Sequence, residues 1–382
     1  MSLETLSREI LEHLRILQRK NRAVSFVGGG RLTLAESHLL TELAVLDSVN
    51  QKELSQRLNL PKQTISRLVK NLSERGLLRR HPSFEDRRAQ DLSLTSRGAA
   101  TVRIVDRAAN PILRTLLRRL PRQDRGALEQ SFCMLADGLG VESQIARRSE
   151  PSFRAQVRRL TRGLRLLETR AFGTAVTVLE WHILAEVSRT AMLNVAELAK
   201  LLAARPDTVL QAVRKMSAKR WLHREDFPGD RRKFYLILTG RGEAALDRAN
   251  RAGVDLLNLG LRRFDSRAQQ RLLQLLRNIS GDGDTGEVGR LTEIKNPLDL
   301  QAARALAVRF YAERSHAAPI PAQFFAGDCR CLGLLIEKRM VAALELQSSE
   351  TGLQINNLVY LRRFVTPALA ANFARRALHF FS

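Results

Sequence analysis

The stretch Asp86–Gly98, DRRAQDLSLTSRG, returns later in the chain as Asp230–Gly242, DRRKFYLILTGRG. Both copies fit the pattern D-R-R-x-x-x-L-x-L-T-x-R-G, and an offset of 144 residues relates them. In each copy a charged loop leads into a short alternating strand, and the Thr-x-x-Gly that follows suits the start of a helix. Such a loop and strand are typical of the wing of a winged helix-turn-helix. Because an internal repeat outweighs any local signal, we predict that the chain contains this fold twice.

The same offset aligns residues far in front of the wing. It pairs Glu36-Ser37-His38 with Glu180-Trp181-His182, and it aligns Glu53–Gly98 with the second copy without a gap. We therefore expect a mainly α-helical fold with small β-wings, built from one unit over residues 1–140 and another over residues 141–279. The terminal helices of both units should pair in a shared core that buries Leu6, Ile10, Leu14, Leu164 and Leu167.

Apolar spacing and capping residues predict the elements of each unit. Thr33 with Glu36 forms a capping box for the helix that leads to Leu46, and Asn50 and Pro61 mark the next two helix starts. The helices expected in the first unit are Leu3–Val27, a helix from Thr33 to Leu46, Gln51–Leu58, Lys62–Arg75, Ser96–Leu120 and Arg122–Leu139, with wing strands at Leu77–Arg80 and Asp91–Leu94. Those of the second unit are Ser152–Thr169, Thr177–Ser188, Val195–Leu202, Pro206–Lys219, Arg241–Leu259 and Ser266–Ile279.

The charge of the chain is strongly positive and unevenly spread. Lys and Arg number 63 against 39 acidic residues, a formal charge of +24. Residues 290–382 hold 12 basic and 7 acidic residues, which leaves +19 on the duplicated part. Such an excess indicates a polyanionic partner. Neither a spanning apolar run nor a signal peptide is expected, and three cysteines are too few for a disulfide scaffold, so we expect a cytoplasmic protein.

The last quarter of the chain has a different character. Residues 280–289 are small, flexible and locally acidic, as in a linker. Beyond them we expect a hairpin of Leu332–Ile336 and Met340–Leu346, a strand at Ile355–Phe364, and helices at Leu300–Glu313 and Pro367–Phe381. Residues 290–382 are therefore predicted to form a small α/β module.

The two repeats resemble the MarR family of bacterial winged-helix regulators. The resemblance covers roughly residues 1–279 and depends on the series from Glu36-Ser37-His38 to the Asp86–Gly98 segment, together with its second copy. It implies a homodimer that straddles a palindrome in double-stranded DNA. Since both lobes lie in one chain here, it implies a covalent pseudo-dimer, with a homodimer of chains as the alternative.

The helix that follows Pro61 has the residue types that contact DNA. Gln pairs with adenine, Arg pairs with guanine, and hydroxyl groups bind phosphate or base. In this fold the helix N-terminus enters the major groove, and wing arginines can enter a neighbouring minor groove. The predicted DNA contacts of the first copy are Lys62, Gln63, Thr64, Ser66, Arg67, Lys70, Arg87 and Arg88. Those of the second copy are Thr208, Gln211, Arg214, Arg224, Arg231, Arg232 and Lys233. Asp86 and Asp230 are interpreted as structural braces of the wing arginines; a merely solvated basic helix is the plainer alternative.

The second copy departs from the first where bases would be read. Lys62-Gln63-Thr64 becomes Pro206-Asp207-Thr208, and Ser66-Arg67 becomes Leu210-Gln211. We therefore expect asymmetric recognition of an imperfect palindrome rather than loss of binding.

The C-terminal module faintly resembles the GNAT acetyltransferases, in its hairpin, following strand and final helix. Ala370–Arg375 carries side chains where an active enzyme needs glycines for a pyrophosphate. The module is accordingly predicted to be degenerate and to serve effector sensing or interaction, with no enzyme activity and no cofactor. The alternatives are an acetyltransferase targeted to DNA and an architectural DNA protein without sequence preference. His38, His182 and Cys133 are interpreted as packing residues, and no metal site is predicted.

Overall fold

A computed structural model describes most of the repeat region and parts of the C-terminal module. The described residues are 3–21, 26–27, 32–82, 90–141, 153–189, 193–227, 230–280, 290–294, 300, 303–304, 330–336, 339–349 and 352–360. They divide into two compact units. The first comprises Met1–His182, Ala199–Ala212 and Ala244–Asp284, and the second comprises Ile183–Leu198, Val213–Glu243 and Thr285–Ser382.

The first repeat has the order of helices and wing strands that the sequence predicts, together with three two-residue strands that it did not indicate. Its helices are α1 (Leu3–Lys20), α2 (Leu34–Leu46), α3 (Gln51–Leu58), α4 (Lys62–Glu74), α5 (Ser96–Leu117) and α6 (Arg122–Gly138). Its strands are β1 (Phe26–Val27), β2 (Leu32–Thr33), β3 (Val49–Asn50), β4 (Leu78–Pro82) and β5 (Gln90–Leu94). The central strand β5 pairs antiparallel with both β3 and β4. The expected helix Leu3–Val27 was too long, because Phe26–Val27 pairs with Leu32–Thr33 as a strand.

The second repeat follows the same plan. Its elements are α7 (Phe153–Gly163), a 3-10 turn at Ala171–Gly173, α8 (Val178–Arg189), α9 (Val195–Leu202), α10 (Pro206–Ala218), β6 (Leu222–Phe227), β7 (Asp230–Leu238), α11 (Gly240–Leu261) and α12 (Ser266–Ser280). The expected helix Ser152–Thr169 ends six residues early, at Gly163. Arg165 adopts a left-handed φ of 55°, and the Leu166 amide donates to the Thr161 carbonyl at 3.0 Å, which closes the helix.

The Thr-x-x-Gly of the repeat acts in the same way in both copies. The Thr95 side chain accepts from the Gly98 amide at 3.0 Å, and Thr239 accepts from Gly242 at 3.1 Å, so each threonine caps a helix. A Cβ on Gly98 would lie 2.1 Å from a backbone carbonyl oxygen, and so would one on Gly242. Only glycine permits this approach of helix and wing, which explains why the motif ends on it.

Helices of both repeats share the core of the first unit. Helix α1 packs along α12, and α6 packs against α7. Ser7 donates to Asn258 at 2.6 Å, and Arg277 pairs with Glu9 at 2.5 Å. The predicted core residues Leu6, Ile10, Leu164 and Leu167 are buried, whereas Leu14 is half-buried. The prediction that terminal helices of both repeats pair in a shared core is confirmed, except that Leu14 is only half-buried.

The second unit contains the second wing and a C-terminal sheet. The wing strands β6 and β7 pair antiparallel, and Leu193 bridges to Leu236 as β3 does to β5 in the first copy. The C-terminal strands are β8 (Arg290–Glu293), β9 (Arg330–Ile336), β10 (Arg339–Ser349) and β11 (Gly352–Tyr360), in the antiparallel order β11-β10-β9-β8. The predicted hairpin is confirmed, and β8 is an additional strand that the sequence pattern did not indicate.

Several segments predicted for the C-terminal region lie outside the residues that the structure describes. They are most of the linker at 280–289, the helix Pro367–Phe381, Cys329 and nearly all of the helix Leu300–Glu313. The likeness to acetyltransferases remains a prediction. No helix among the described residues combines the length and apolar character needed to cross a bilayer.

Candidate nucleic-acid interface

Helix α4 presents a polar face on an apolar support. Its inner side chains Ile65, Leu68, Val69 and Leu72 are buried in the core of the winged helix. Asn59, left-handed at φ 52°, ends α3 and turns the chain so that α4 begins after Pro61. The predicted contact residues on the outer side are exposed, namely Lys62, Gln63, Ser66, Arg67 and Lys70, while Thr64 is half-buried. The structure thus brings all six predicted residues of this helix to one surface.

Two contacts order side chains on this surface. The Ser66 hydroxyl donates to Gln51 Oε1 at 3.1 Å, and Lys70 lies 3.9 Å from Glu74 one turn later. Both pairs are exposed, so water or a ligand can replace them at small free-energy cost. The face can therefore offer amide, hydroxyl and guanidinium groups together to an external partner.

A buried carboxylate fixes α4 to α2. Glu36 is 3% exposed, and its Oε2 accepts from the Thr33 amide at 2.7 Å in the predicted capping box. Its Oε1 accepts from Asn71 Nδ2 at 2.7 Å and from Arg75 Nη1 at 3.0 Å, both near the end of α4. Sequence reasoning found the cap but missed this second role. The matched Glu36 and Glu180 of the repeat were the signal that could have shown it.

The wing of the first copy is described up to its tip. Arg79 and Arg80 on β4 are exposed, and the Arg79 Nε donates to the Ser93 hydroxyl across the hairpin at 2.9 Å. The tip, with the predicted residues Asp86, Arg87 and Arg88, lies outside the described residues. Arg79 and Arg80 extend the basic surface in a place that the motif alone did not indicate.

The second copy presents a different set of groups. Asp207, Gln211 and Arg214 on α10 are exposed, and Thr208 is half-buried. Arg224 on β6 is also exposed, with its guanidinium carbon 3.8 Å from the centre of the Phe234 ring. The backbone of β7 includes the predicted residues Asp230, Arg231, Arg232 and Lys233, but their side chains fall outside the described part.

The paired histidines of the repeat are buried. Burial, and then the positive charge of Arg158, holds the pKa of His38 well below its ordinary value of 6.5. Burial and the charge of Arg15 lower the pKa of His182 in the same way. Both imidazoles are therefore neutral at pH 7, in agreement with the interpretation that they are packing residues.

Comparison with known proteins gives one family and several solved structures. A model of the MarR family matches residues 32–89 and 176–233. A mutant of MarR from Escherichia coli, complexed with operator DNA, is 21% identical over 30% of this chain and 84% of its own, with a TM-score of 0.27. A mutant of MepR from S. aureus, bound to an oligodeoxyribonucleotide, is 22% identical over 28% and 80%, with a TM-score of 0.21.

The YusO protein from Bacillus subtilis is 22% identical over 31% of this chain and 76% of its own, with a TM-score of 0.22. No curated protein matches the chain in sequence.

Proposed function

We propose that this chain is a transcriptional regulator that binds double-stranded DNA in a sequence-specific way, because residues 32–89 and 176–233 match a model of the MarR family. In this proposal α4 and α10 enter the major groove at the two halves of an imperfect palindrome. The wing arginines Arg87, Arg88, Arg231 and Arg232 enter the flanking minor grooves. One chain occupies one site, in the cytoplasm and at the nucleoid.

The observation that supports specific reading is the exposed face of α4. Gln63 and Arg67 can each form a bidentate pair with a base edge, worth about 1–3 kcal/mol of discrimination. Glu36 holds this helix to α2 through Asn71 and Arg75, so Gln63 and Arg67 lie on a helix whose position is fixed. An architectural protein without sequence preference would need only phosphate contacts, and this face offers more.

In the second half, the DNA-facing helix α10 exposes side chains that differ from those of α4. Asp207 is exposed where the first copy has Gln63, and Gln211 where it has Arg67. A carboxylate can accept from cytosine but repels phosphate. The proposed palindrome is therefore unequal in its halves.

The C-terminal module is proposed to be non-enzymatic and to carry an effector or partner site. Its charge is +5 of the total +24, so the DNA contacts are assigned to the duplicated part. An acetyltransferase activity is the alternative, and acetyl transfer to a protein or amine substrate would reveal it.

The decisive experiment compares Arg67→Ala with Arg118→Ala. Arg118 is exposed near the far end of α5, so its removal changes the net charge equally without touching the proposed interface. On a selected binding site at fixed salt, Arg67→Ala should weaken binding by about 1–3 kcal/mol and relax base preference in one half-site only. Arg118→Ala should leave both unchanged. Equal behaviour of the two variants would disprove specific reading by α4.

The proposed pseudo-dimer is tested by the mass of the complex. Full-length chain on one site should give a single chain per duplex. Two chains per duplex would replace the pseudo-dimer with a homodimer while leaving DNA binding intact.

A further inference from the structure

A second basic feature of the duplication is the turn that follows the long helix of each repeat. Residues Leu117–Pro121, LRRLP, return at the same offset of 144 as Leu261–Asp265, LRRFD. The stretches around these turns, residues 114–125 and 262–271, hold nine arginines and two aspartates. Their net charge of +7 is more than a third of the +19 on the duplicated part, and no residue in them belongs to the predicted DNA contacts.

Both turns are held in place by equivalent contacts. In the first turn, Arg125 Nε donates to the Leu120 carbonyl at 3.1 Å. The offset of 144 places Gln269 at the position of Arg125, and its Nε2 donates to the Phe264 carbonyl at 3.3 Å. Leu120 and Phe264 are themselves buried. The backbone of each turn is therefore fixed by a buried side chain below it and by a donor from the following helix.

Exposed arginines project from these fixed turns. Two follow the helix end in each half, namely Arg119, Arg122, Arg263 and Arg267. Among the described residues none of the four has an ion-pair partner, so their guanidinium groups are available to an external anion. Asp265 is the acid of the two turns, and its Oδ1 accepts from the Ala268 amide at 2.7 Å as a helix cap. We call the four arginines the basic end.

The two turns lie at the same end of the first unit. Arg271 Nη2 pairs with Asp124 Oδ1 at 2.5 Å, so the first turns of α6 and α12 are neighbours. Packed helices lie about 8–10 Å apart and rise 1.5 Å per residue, which places the Cα atoms of Arg122 and Arg267 within roughly 20 Å of each other. A DNA duplex carries about 12 phosphate charges over that span. One duplex can therefore contact the arginines of both turns.

The basic end is remote from the first reading helix. Helix α5 has 22 residues and is about 33 Å long. It begins against the wing, where Gly98 packs on the Leu77 carbonyl, and it ends at Leu117, directly before the turn. A straight duplex on the wing of the first half does not reach the basic end. A duplex bound there is a second molecule or a distant segment of the same one.

The chemistry of the basic end fits the backbone of double-stranded DNA. Guanidinium groups bind phosphate oxygens in a bidentate way. Within the two described turns no aromatic side chain is exposed, so bases of a single strand find no stacking partner. The large apolar residues Leu120 and Phe264 are buried, so a bilayer interface finds no apolar anchor. Phosphate contacts alone carry no sequence information.

We propose that the basic end binds a second DNA duplex through its phosphates, without sequence preference. Together with the duplex at the reading helices, this lets one chain bridge two segments of DNA. Binding at the basic end is independent of the proposed function, whereas the bridging role rests on it.

The test counts the duplexes bound to one chain. The full chain is mixed with an excess of a duplex of about 20 base pairs that carries the selected site, and analytical ultracentrifugation gives the mass of the complex at 50 mM salt. We expect two duplexes on the wild type and one on the double variant Arg119→Glu with Arg263→Glu. The matched control is Arg107→Glu with Arg251→Glu, because these arginines are also exposed and related by the offset of 144. It should retain two duplexes.

The salt dependence gives a second readout. Four phosphate contacts predict that the affinity for the second duplex falls on the order of 100-fold between 50 and 200 mM salt. Circular dichroism shows whether each variant is folded. If the first double variant does not fold, Arg122→Glu with Arg267→Glu takes its place.

The outcomes separate this proposal from the proposed function. One duplex on both the wild type and the double variant, or two on both, would overturn the second site. One duplex on the wild type and none on the double variant would leave the basic end intact and refute the proposed function instead. Poly-glutamate that displaces the second duplex as well as unlabelled DNA of equal charge would overturn DNA as its occupant.

Discussion

Replacing Glu36 by alanine should destabilise the first winged helix by about 2–4 kcal/mol. The carboxylate accepts from Thr33, Asn71 and Arg75 while it is 3% exposed. Loss of the capping box contributes about 1 kcal/mol. Loss of charge-assisted hydrogen bonds contributes about 1.5–3 kcal/mol, and the lower half of that range applies because the Arg75 side chain is 35% exposed and regains water.

Glu53→Ala is the matched control. Glu53 also follows a helix start by two residues and binds an arginine, Arg57, at 2.5 Å, but its side chain is 41% exposed. Its loss should therefore cost less than about 1 kcal/mol. Urea unfolding followed by circular dichroism measures both variants.

The folded fraction of Glu36→Ala should also bind DNA more weakly than wild type under the proposed function, because α4 has lost its brace. A stability loss equal to that of Glu53→Ala would refute the reasoning about the buried carboxylate. If Glu36→Ala loses the predicted stability but binds DNA with unchanged affinity, only the role of Glu36 in positioning α4 is refuted.

Three further outcomes are expected from particular backbone and titrating groups. His38 and His182 are neutral in the folded protein, whereas in the unfolded chain they protonate at about pH 6.5. The free energy of unfolding should therefore fall as the pH drops below about 6.5, by up to about 1.4 kcal/mol per pH unit for each histidine, until the lowered pKa of the folded state is reached. Urea unfolding at pH 7.5 and pH 5.5 should show a smaller decrease for His38→Gln than for wild type. Gly98→Ala should destabilise by at least about 1–3 kcal/mol since its Cβ meets a backbone carbonyl at 2.1 Å, whereas Gly126→Ala, with open space around it in α6, should stabilise by about 0.5–1 kcal/mol. Arg220→Gly should raise the melting temperature, because this arginine has a φ of 56° where the first repeat has a glycine; an unchanged melting temperature would contradict stored backbone strain.

The sequence predicted elements whose signals are local. The Thr33–Glu36 capping box and the Asn50 and Thr95 caps lie within four residues of the groups they bind, so their patterns can be read directly. The exposed face of α4 followed from helical periodicity. Burial of the opposite face then left the polar residues outside.

Features made by distant contacts could not be predicted in this way. Glu36 binds Asn71 and Arg75, which lie 35 and 39 positions later, and no local sequence pattern predicts a contact over such a separation. Strand β8 has four residues, and it pairs with β9, which begins 40 residues after it. The overlong prediction for α7 failed because apolar spacing continues beyond Gly163 although the backbone turns there.

The packing of α1 along α12 has a consequence for how the protein is made. Arg277 follows its partner Glu9 by 268 positions, so α1 is synthesised long before the helix that it packs against. At about 5–20 residues per second this interval is roughly 13–54 s. During this interval α12 is not yet made and cannot cover the apolar side of α1, which includes Leu6 and Ile10. We therefore expect a chain truncated before α12 to expose this apolar side and to aggregate more readily than the full sequence.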